Sequence, residues 1–417
     1  MNIDDLILVS IDDHVVEPPD MFNGRIPAKW ADQTPRVEVD EHGIDRWVYR
    51  GRPTGVVGLN AVVSWPPEEW GFDPAGYAEM RPAVYNVHER IRDMNANGVL
   101  GSMCFPTFAG FSAGHLSYFK DEITVAMIQA YNDWHIEDWA GAYPGRFIPN
   151  AILPLWDPKL AVAEIERVAN KGCHAVSVAE LPHIDGLPSY HDGDYWSPVF
   201  QALSDHDTVM NLHIGQGFSV LKLAPDAPID NLMVLAPSIS QIAAQDLLWG
   251  PAFRKFPKLK VTLSEGGIGW ITYFLDRSDR HYTNQKWLRR DFGGKLPSEV
   301  FREHVLACYV TDKTALKLRH DIGIDNIAWE CDYPHSDSLW PDAPEFVLQE
   351  LQAADASDAD IDKITWQNAC RFLNFDPFAH LPKDQATVGG LRAIARDVDV
   401  STRSRKEYAE LYTQHAN

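Results

Sequence analysis

Cationic side chains are in short supply: 37 lysines and arginines stand against 59 aspartates and glutamates in 417 residues, a formal net charge of -22. That surplus repels polyanions at long range, so neither nucleic acid nor an anionic membrane surface is expected as a partner. Long apolar runs are also missing. Asp4, Asp5, Asp12 and Asp13 interrupt the opening stretch, which is too polar for a signal peptide or a spanning helix. A cytoplasmic protein is the expectation. Cysteine is scarce, and Cys104, Cys173, Cys308, Cys331 and Cys370 form no CxxC pair. Reduced thiols inside apolar runs follow, not a disulfide framework. Cys331 neighbours an acidic residue, Asp332, but strand alternation directs it away from that side and into packing.

Regular helix is lacking over about residues 13–97, where prolines and Trp30, Trp47, Trp65 and Trp70 recur until an amphipathic stretch at 86–96. An ordered aromatic insertion of that length suits a lid better than a linker. What the chain does have is apolar content, 45% hydrophobic and 11% aromatic residues, enough for a large core. Strand-like runs begin at Leu6, Val99, Phe147, His174, Thr208, Leu259, Val305 and Ile324. Helical periodicity separates most of them, at 121–139, 158–170, 197–204, 243–256, 269–279 and 344–354, and again at 361–373. About eight strand-then-helix units spell a parallel (β/α)8 TIM barrel, an α/β fold. One catalytic domain over 1–380 is expected, with the long insertion after the first strand and a charged C-terminal tail, 381–417, that either packs on a neighbouring subunit or lies in solvent.

Acidic and imidazole side chains close several of these strands. The run 324–329 delivers Glu330, Cys331 and Asp332 to a point where Pro334 ends ladder bonding. The run 6–11 leads into Asp12-Asp13-His14, where alternation puts Asp12 and His14 on one face, able to grip one cation. The run 208–212 ends in His213, before Gly215-Gln216-Gly217, whose small residues allow close approach of a ligand. The run 259–264 ends in Glu265-Gly266-Gly267. An α/β barrel keeps its chemistry at these carboxyl ends. Each feature alone has a plain structural explanation, and Glu265 equally suits the start of a helix; together they point to a metal centre.

The motif Asp12-Asp13-His14 leading to Glu17-Pro18-Pro19, with Asn211-Leu212-His213, Glu265-Gly266-Gly267, Asp332-Tyr333-Pro334-His335 and Asn368-Ala369-Cys370-Arg371-Phe372, resembles the amidohydrolase superfamily. The resemblance is to the branch that includes aminocarboxymuconate semialdehyde decarboxylase and the resorcylate decarboxylases. It implies a barrel whose divalent metal is held by Asp12, His14, His213 and Asp332. Two departures stand out: Asp12 replaces the usual leading histidine or glutamate, and Glu265 stands where the family usually has histidine. Glu265 makes the donor set rich in oxygen, enough for one ion or two.

Two functions follow. In one, zinc, manganese or iron activates water or holds a substrate carboxylate, Asp332 handles the proton, His335 assists, and a small hydrophobic or aromatic carbonyl compound is hydrolysed or decarboxylated. In the other, a carboxylate-rich pair of irons activates dioxygen and hydroxylates an acyl thioester. Pocket walls are expected from the insertion, from 181–191 and from 338–341. The resemblance also implies a homodimer.

Overall fold

The computed structural model describes residues 1–415. It divides into two compact units, one made of Met1–Ile152, Cys331–Val347 and Asp376–Asn417, the other of Leu153–Glu330 and Leu348–Phe375.

In the first unit β1 (Leu8–Val15) is buried along its whole length and pairs in parallel with β5 (Val99–Pro106), which in turn pairs with β6 (Phe147–Ile148). Both long strands bury every residue, as parallel strands covered on both faces do. β1 runs through Asp12-Asp13-His14 instead of ending before it. Its register on β5 slips between Ser10 and Asp13, where three steps on β1 match two on β5. The run expected at 147–153 is broken by Pro149 and Asn150, leaving β6 and a second short strand, β7 (Ala151–Ile152), whose Ile152 backbone is bonded at both N–H and C=O by the Asn132 side chain.

The insertion after β1 holds more regular structure than its proline content suggests. β2 (Arg36–Val39), β3 (Asp45–Tyr49) and β4 (Arg52–Val56) form an antiparallel three-stranded sheet. Its close is the helix Val87–Asn97, begun by Asn86, whose side chain accepts the N–H groups of His88 and Glu89, and ended by Gly98 in the left-handed region at φ 73°. The tail packs on its own chain: Tyr408 lies in a buried cluster with Val62 and Trp65.

In the second unit β8 (Ala175–Ala179), β9 (Val209–His213), β10 (Lys260–Ser264), β11 (Val305–Tyr309) and β12 (Ile327–Trp329) lie side by side in parallel, in chain order. Helices alternate with them, among them Pro158–Ala169, Gly193–Asp205 and Gly269–Asn284. The helix expected at 197–204 starts earlier because Asp192 caps it, accepting from Asp194 and Tyr195. The one expected at 243–256 is cut at Gly250-Pro251 into Ser238–Trp249 and Ala252–Lys255. The last strand is shorter than its apolar run, since Ile324–Asn326 forms a 3-10 turn. Four of the five cysteines are buried and all five are free thiols. No helix among the described residues is long and apolar enough to cross a membrane.

Candidate metal centre

Within the first unit, alternation along β1 does what its period dictates: His14 Nε2 lies 3.6 Å from Asp12 Oδ1, with both side chains buried. The segment after β12 comes alongside. Asp332 donates its N–H to the Asp12 carbonyl (2.9 Å), His14 donates to the Tyr333 carbonyl (2.7 Å), and Tyr333 donates to Asp13 Oδ1 (3.0 Å). Asp332 is thereby fixed in the left-handed region, at φ 54°, a conformation that non-glycine residues adopt at a cost and that clusters at working sites. Its Oδ1 lies 3.3 Å from His14 Nε2 and 2.9 Å from His335 Nδ1. The two imidazole rings are 3.8 Å apart between centroids. His14, Asp332 and His335 each present a ligand atom close enough to share one ion.

Burial alone would raise the Asp332 carboxyl, but the charge of His335 and the contact with His14 outweigh it and hold the group below the usual carboxylate range. Asp13 goes the other way. It points off the Asp12 and His14 face, and burial pushes it up to about 6 against the pull of Arg90 and of the Ser102 hydroxyl that donates to it. Its task in the structure is to carry the Tyr333 backbone.

In the second unit His213, the last residue of β9, uses Nδ1 on the Ile214 carbonyl. A carbonyl only accepts, so Nδ1 carries a proton and Nε2 is left to meet a second partner. Glu265 Oε2 stands 3.3 Å from that Nε2. At that separation the two groups either share a proton or offer a nitrogen and an oxygen to a divalent cation. Glu265 is itself held in the left-handed region, at φ 56°. Its N–H donates to Glu330 Oε2 (3.1 Å), which also accepts from the Cys308 thiol (2.6 Å). The helix that follows is capped by a different residue: Asp312 Oδ2 accepts from Gly269 (2.7 Å) and Ile268 (3.2 Å).

The sequence reading passed over Asp13 and Glu330, each holding the backbone next to a proposed ligand. The signal was there, since an acidic residue inside an apolar run has to be satisfied locally. Gly217 does not offer ligand access; its N–H donates to the buried Glu180 (2.7 Å), and a Cβ there would meet Ile239 at 2.8 Å. Tyr190 is buried and donates to the Ala179 carbonyl, and Trp196 donates to the Pro188 carbonyl, which ties down one end of the 181–191 loop while His183, Asp185, Gly186 and His191 stay exposed. Trp340 likewise donates to the Asp93 carbonyl. A cavity of about 510 Å³ does open in the first unit, lined by the insertion (Met80, Arg81, Tyr85) and the tail (Asp399, Tyr408, Tyr412).

Comparison with known proteins gives this arrangement a lineage. The model of the amidohydrolase family matches residues 44–375. The chain belongs to the amidohydrolase family. Gamma-resorcylate decarboxylase from Polaromonas sp. (strain JS666 / ATCC BAA-500) is 26% identical over 260 residues, covering 57% of this chain and 73% of that one. Among solved structures, an amidohydrolase from Mycobacterium avium subsp. paratuberculosis K-10 matches with a TM-score of 0.71 at 22% identity, covering 88% of this chain and 99% of the other. A dihydroxybenzoic acid decarboxylase from Polaromonas sp. JS666, with bound manganese and 2-nitroresorcinol, matches at 0.58 and 21% identity, covering 76% and 92%. The fold is therefore the α/β (TIM) barrel class expected from the strand and helix pattern, and the amidohydrolase is an enzyme of the metal-dependent hydrolase or lyase kind. The two-iron oxygenase drawn from Glu265 is set aside: these relatives are decarboxylases and an amidohydrolase, and the metal seen in one of them is manganese.

Proposed function

We propose that this amidohydrolase is a divalent-metal-dependent decarboxylase of small hydroxylated aromatic carboxylates. The observation that carries the proposal is the buried Asp332 carboxylate, flanked at 3.3 and 2.9 Å by the imidazoles of His14 and His335. The substrate class rests on the names of the two Polaromonas relatives. Asp12, His14 and Asp332 of the first unit are proposed as metal ligands, as are His213 and Glu265 of the second, and manganese is the favoured ion. When bound, it supplies positive charge for the substrate carboxylate and the hydroxyl oxygen beside it.

The chain's own residues handle the proton. Asp332, kept ionised by its imidazole neighbours, takes the proton of the ring hydroxyl. The electron density released into the ring makes the carbon bearing the carboxylate basic, and Asp332 returns the proton to that carbon. The bond to the carboxylate then breaks, its electron pair stays with the ring, and carbon dioxide leaves with the phenolate as product. His335 keeps Asp332 oriented through both transfers. Proton and charge balance without any further reactant.

Incubating the manganese-loaded protein with 2,6-dihydroxybenzoate and related hydroxybenzoates tests this. Carbon dioxide and the matching phenol are expected in equal amounts. Cleavage of esters or amides, with no carbon dioxide from any hydroxybenzoate, overturns decarboxylation in favour of hydrolysis. Two copies of the chain are proposed as the working unit, and light scattering that gives the mass of one copy removes that.

A further inference from the structure

We infer that Arg81, Asp93 and Tyr333 are positioning residues through which the C-terminal segment holds residues 332–335 in shape to bind metal. The inference rests on the reading of Asp332 as a metal ligand. Asp332 occupies the left-handed region at φ 54°, and such backbone persists only where its surroundings over-determine it. β1 accounts for the backbone of residues 332 and 333. The Tyr333 side chain and the Pro334 carbonyl lead in a different direction, and both paths end on the tail.

Along the first path the Tyr333 hydroxyl donates to Asp93 Oδ2 at 2.7 Å. Asp93 is 3% exposed and is gripped by Arg81 on both oxygens, Nε at 2.5 Å and the second nitrogen at 2.7 Å. Arg81 lies 4.5 Å over the Trp340 ring and spends its remaining reach on the tail, donating to the Asp399 carbonyl at 2.9 Å. A paired, two-pronged contact of this kind fixes geometry as well as charge. Along the second path the Val63 N–H donates to the Pro334 carbonyl at 2.9 Å. The next residue, Ser64, receives the Arg403 N–H on its own carbonyl (2.9 Å), and its hydroxyl bonds the Tyr408 hydroxyl (2.6 Å). Tyr408 is buried there with Val62 and Trp65.

None of the bonds in the first path belongs to a helix or strand ladder. They join one turn, the turn that carries Asp332 and His335, to a segment beyond residue 375, where the family match ends. Partners that orient a metal ligand at one remove commonly change metal affinity by about 10- to 100-fold when lost.

The experiment measures manganese affinity on the full chain, by calorimetric titration after chelator treatment, for the parent, Tyr333→Phe, Arg81→Gln and the double variant. A purely structural role would lower the thermal midpoint and leave the dissociation constant of the folded protein alone. Positioning predicts a dissociation constant raised about tenfold in Tyr333→Phe, a rise in Arg81→Gln, and a double variant no weaker than the worse single one, because both act along one path. Parental affinity in Tyr333→Phe overturns the inference, as do losses that simply add in the double variant. A parent that binds neither manganese, zinc nor iron overturns the proposed function first, and this inference with it.

Discussion

Asp332 carries contradictory demands in a single side chain. It is 1% exposed, which disfavours charge, yet two imidazoles within 3.3 Å keep it charged. Replacing it by asparagine keeps the volume and removes the charge and the proton site. Asp332→Asn is expected to lower turnover by about a thousandfold or more, with circular dichroism matching the parent; retained turnover would strip Asp332 of its role. His213 is proposed as a metal ligand instead. His213→Ala should reduce metal content in protein purified without added metal, and unchanged occupancy by elemental analysis would show that this histidine is not a ligand.

At the level of elements, the helix Val87–Asn97 buries a polar face. Arg90, Asp93 and Asn97, at spacings that put them on one side, reach the His14 carbonyl, the Tyr333 hydroxyl and the Ala343 N–H. Arg90 is 1% exposed, and its guanidinium also donates to the Ala83 carbonyl and covers the Tyr333 ring at 4.2 Å. Arg90→Met leaves those carbonyls without their donor and should cost on the order of 2–4 kcal/mol, read as a lower urea midpoint. Glu17 gives a pH test. Its carboxylate accepts from Phe108 (2.7 Å) and Thr107 (3.1 Å), but burial pushes its pKa up to about 7 in the folded protein. A raised acid binds its proton more tightly when folded, so stability is lost as pH climbs from about 4.5 to 7. Glu17→Gln should flatten that part of the stability profile, and an unchanged slope in denaturant titrations at pH 5, 6 and 7 would refute the assignment.

Much of this was legible one residue at a time. Period-two alternation paired Asp12 with His14, and apolar runs ending in His213, Glu265 and Asp332 marked β9, β10 and β12. β2 to β4 were not legible, because their short, largely polar or half-exposed runs, with Pro53 inside β4, lack the apolar signature of a buried strand. Nor were Arg81 and Asp93, whose work depends on which backbone arrives beside them after folding. A hydrogen bond between Tyr333 and Asp93, 240 positions apart, leaves no local pattern to read.

For the whole molecule, the net charge of -22 and a cluster of buried carboxylates leave the protein with an electrostatic debt that a divalent cation would relieve. Any ligand bound only by the folded state adds stability by mass action, about 2.7 kcal/mol at a hundred times its dissociation constant. Manganese should therefore raise the thermal midpoint by a few degrees in a concentration-dependent way, while magnesium in equal amount should do less, since imidazole favours the transition metal. Equal shifts from both ions would point to general charge screening.

The Ser64 to Tyr408 contact spans 344 positions, and Cys331 reaches back 321 to Ser10. Closing loops that long is slow, and each closure has to precede the contacts that reward it. The second unit draws mostly on one continuous stretch, Leu153–Glu330, and can organise from near neighbours. Assembly is therefore expected to run outward from the middle of the chain, with the turn bearing Asp332 among the last pieces to be locked. A refolding protein would acquire most of its helix well before it could retain a metal ion, and stopped-flow mixing with a manganese-sensitive dye would register that delay.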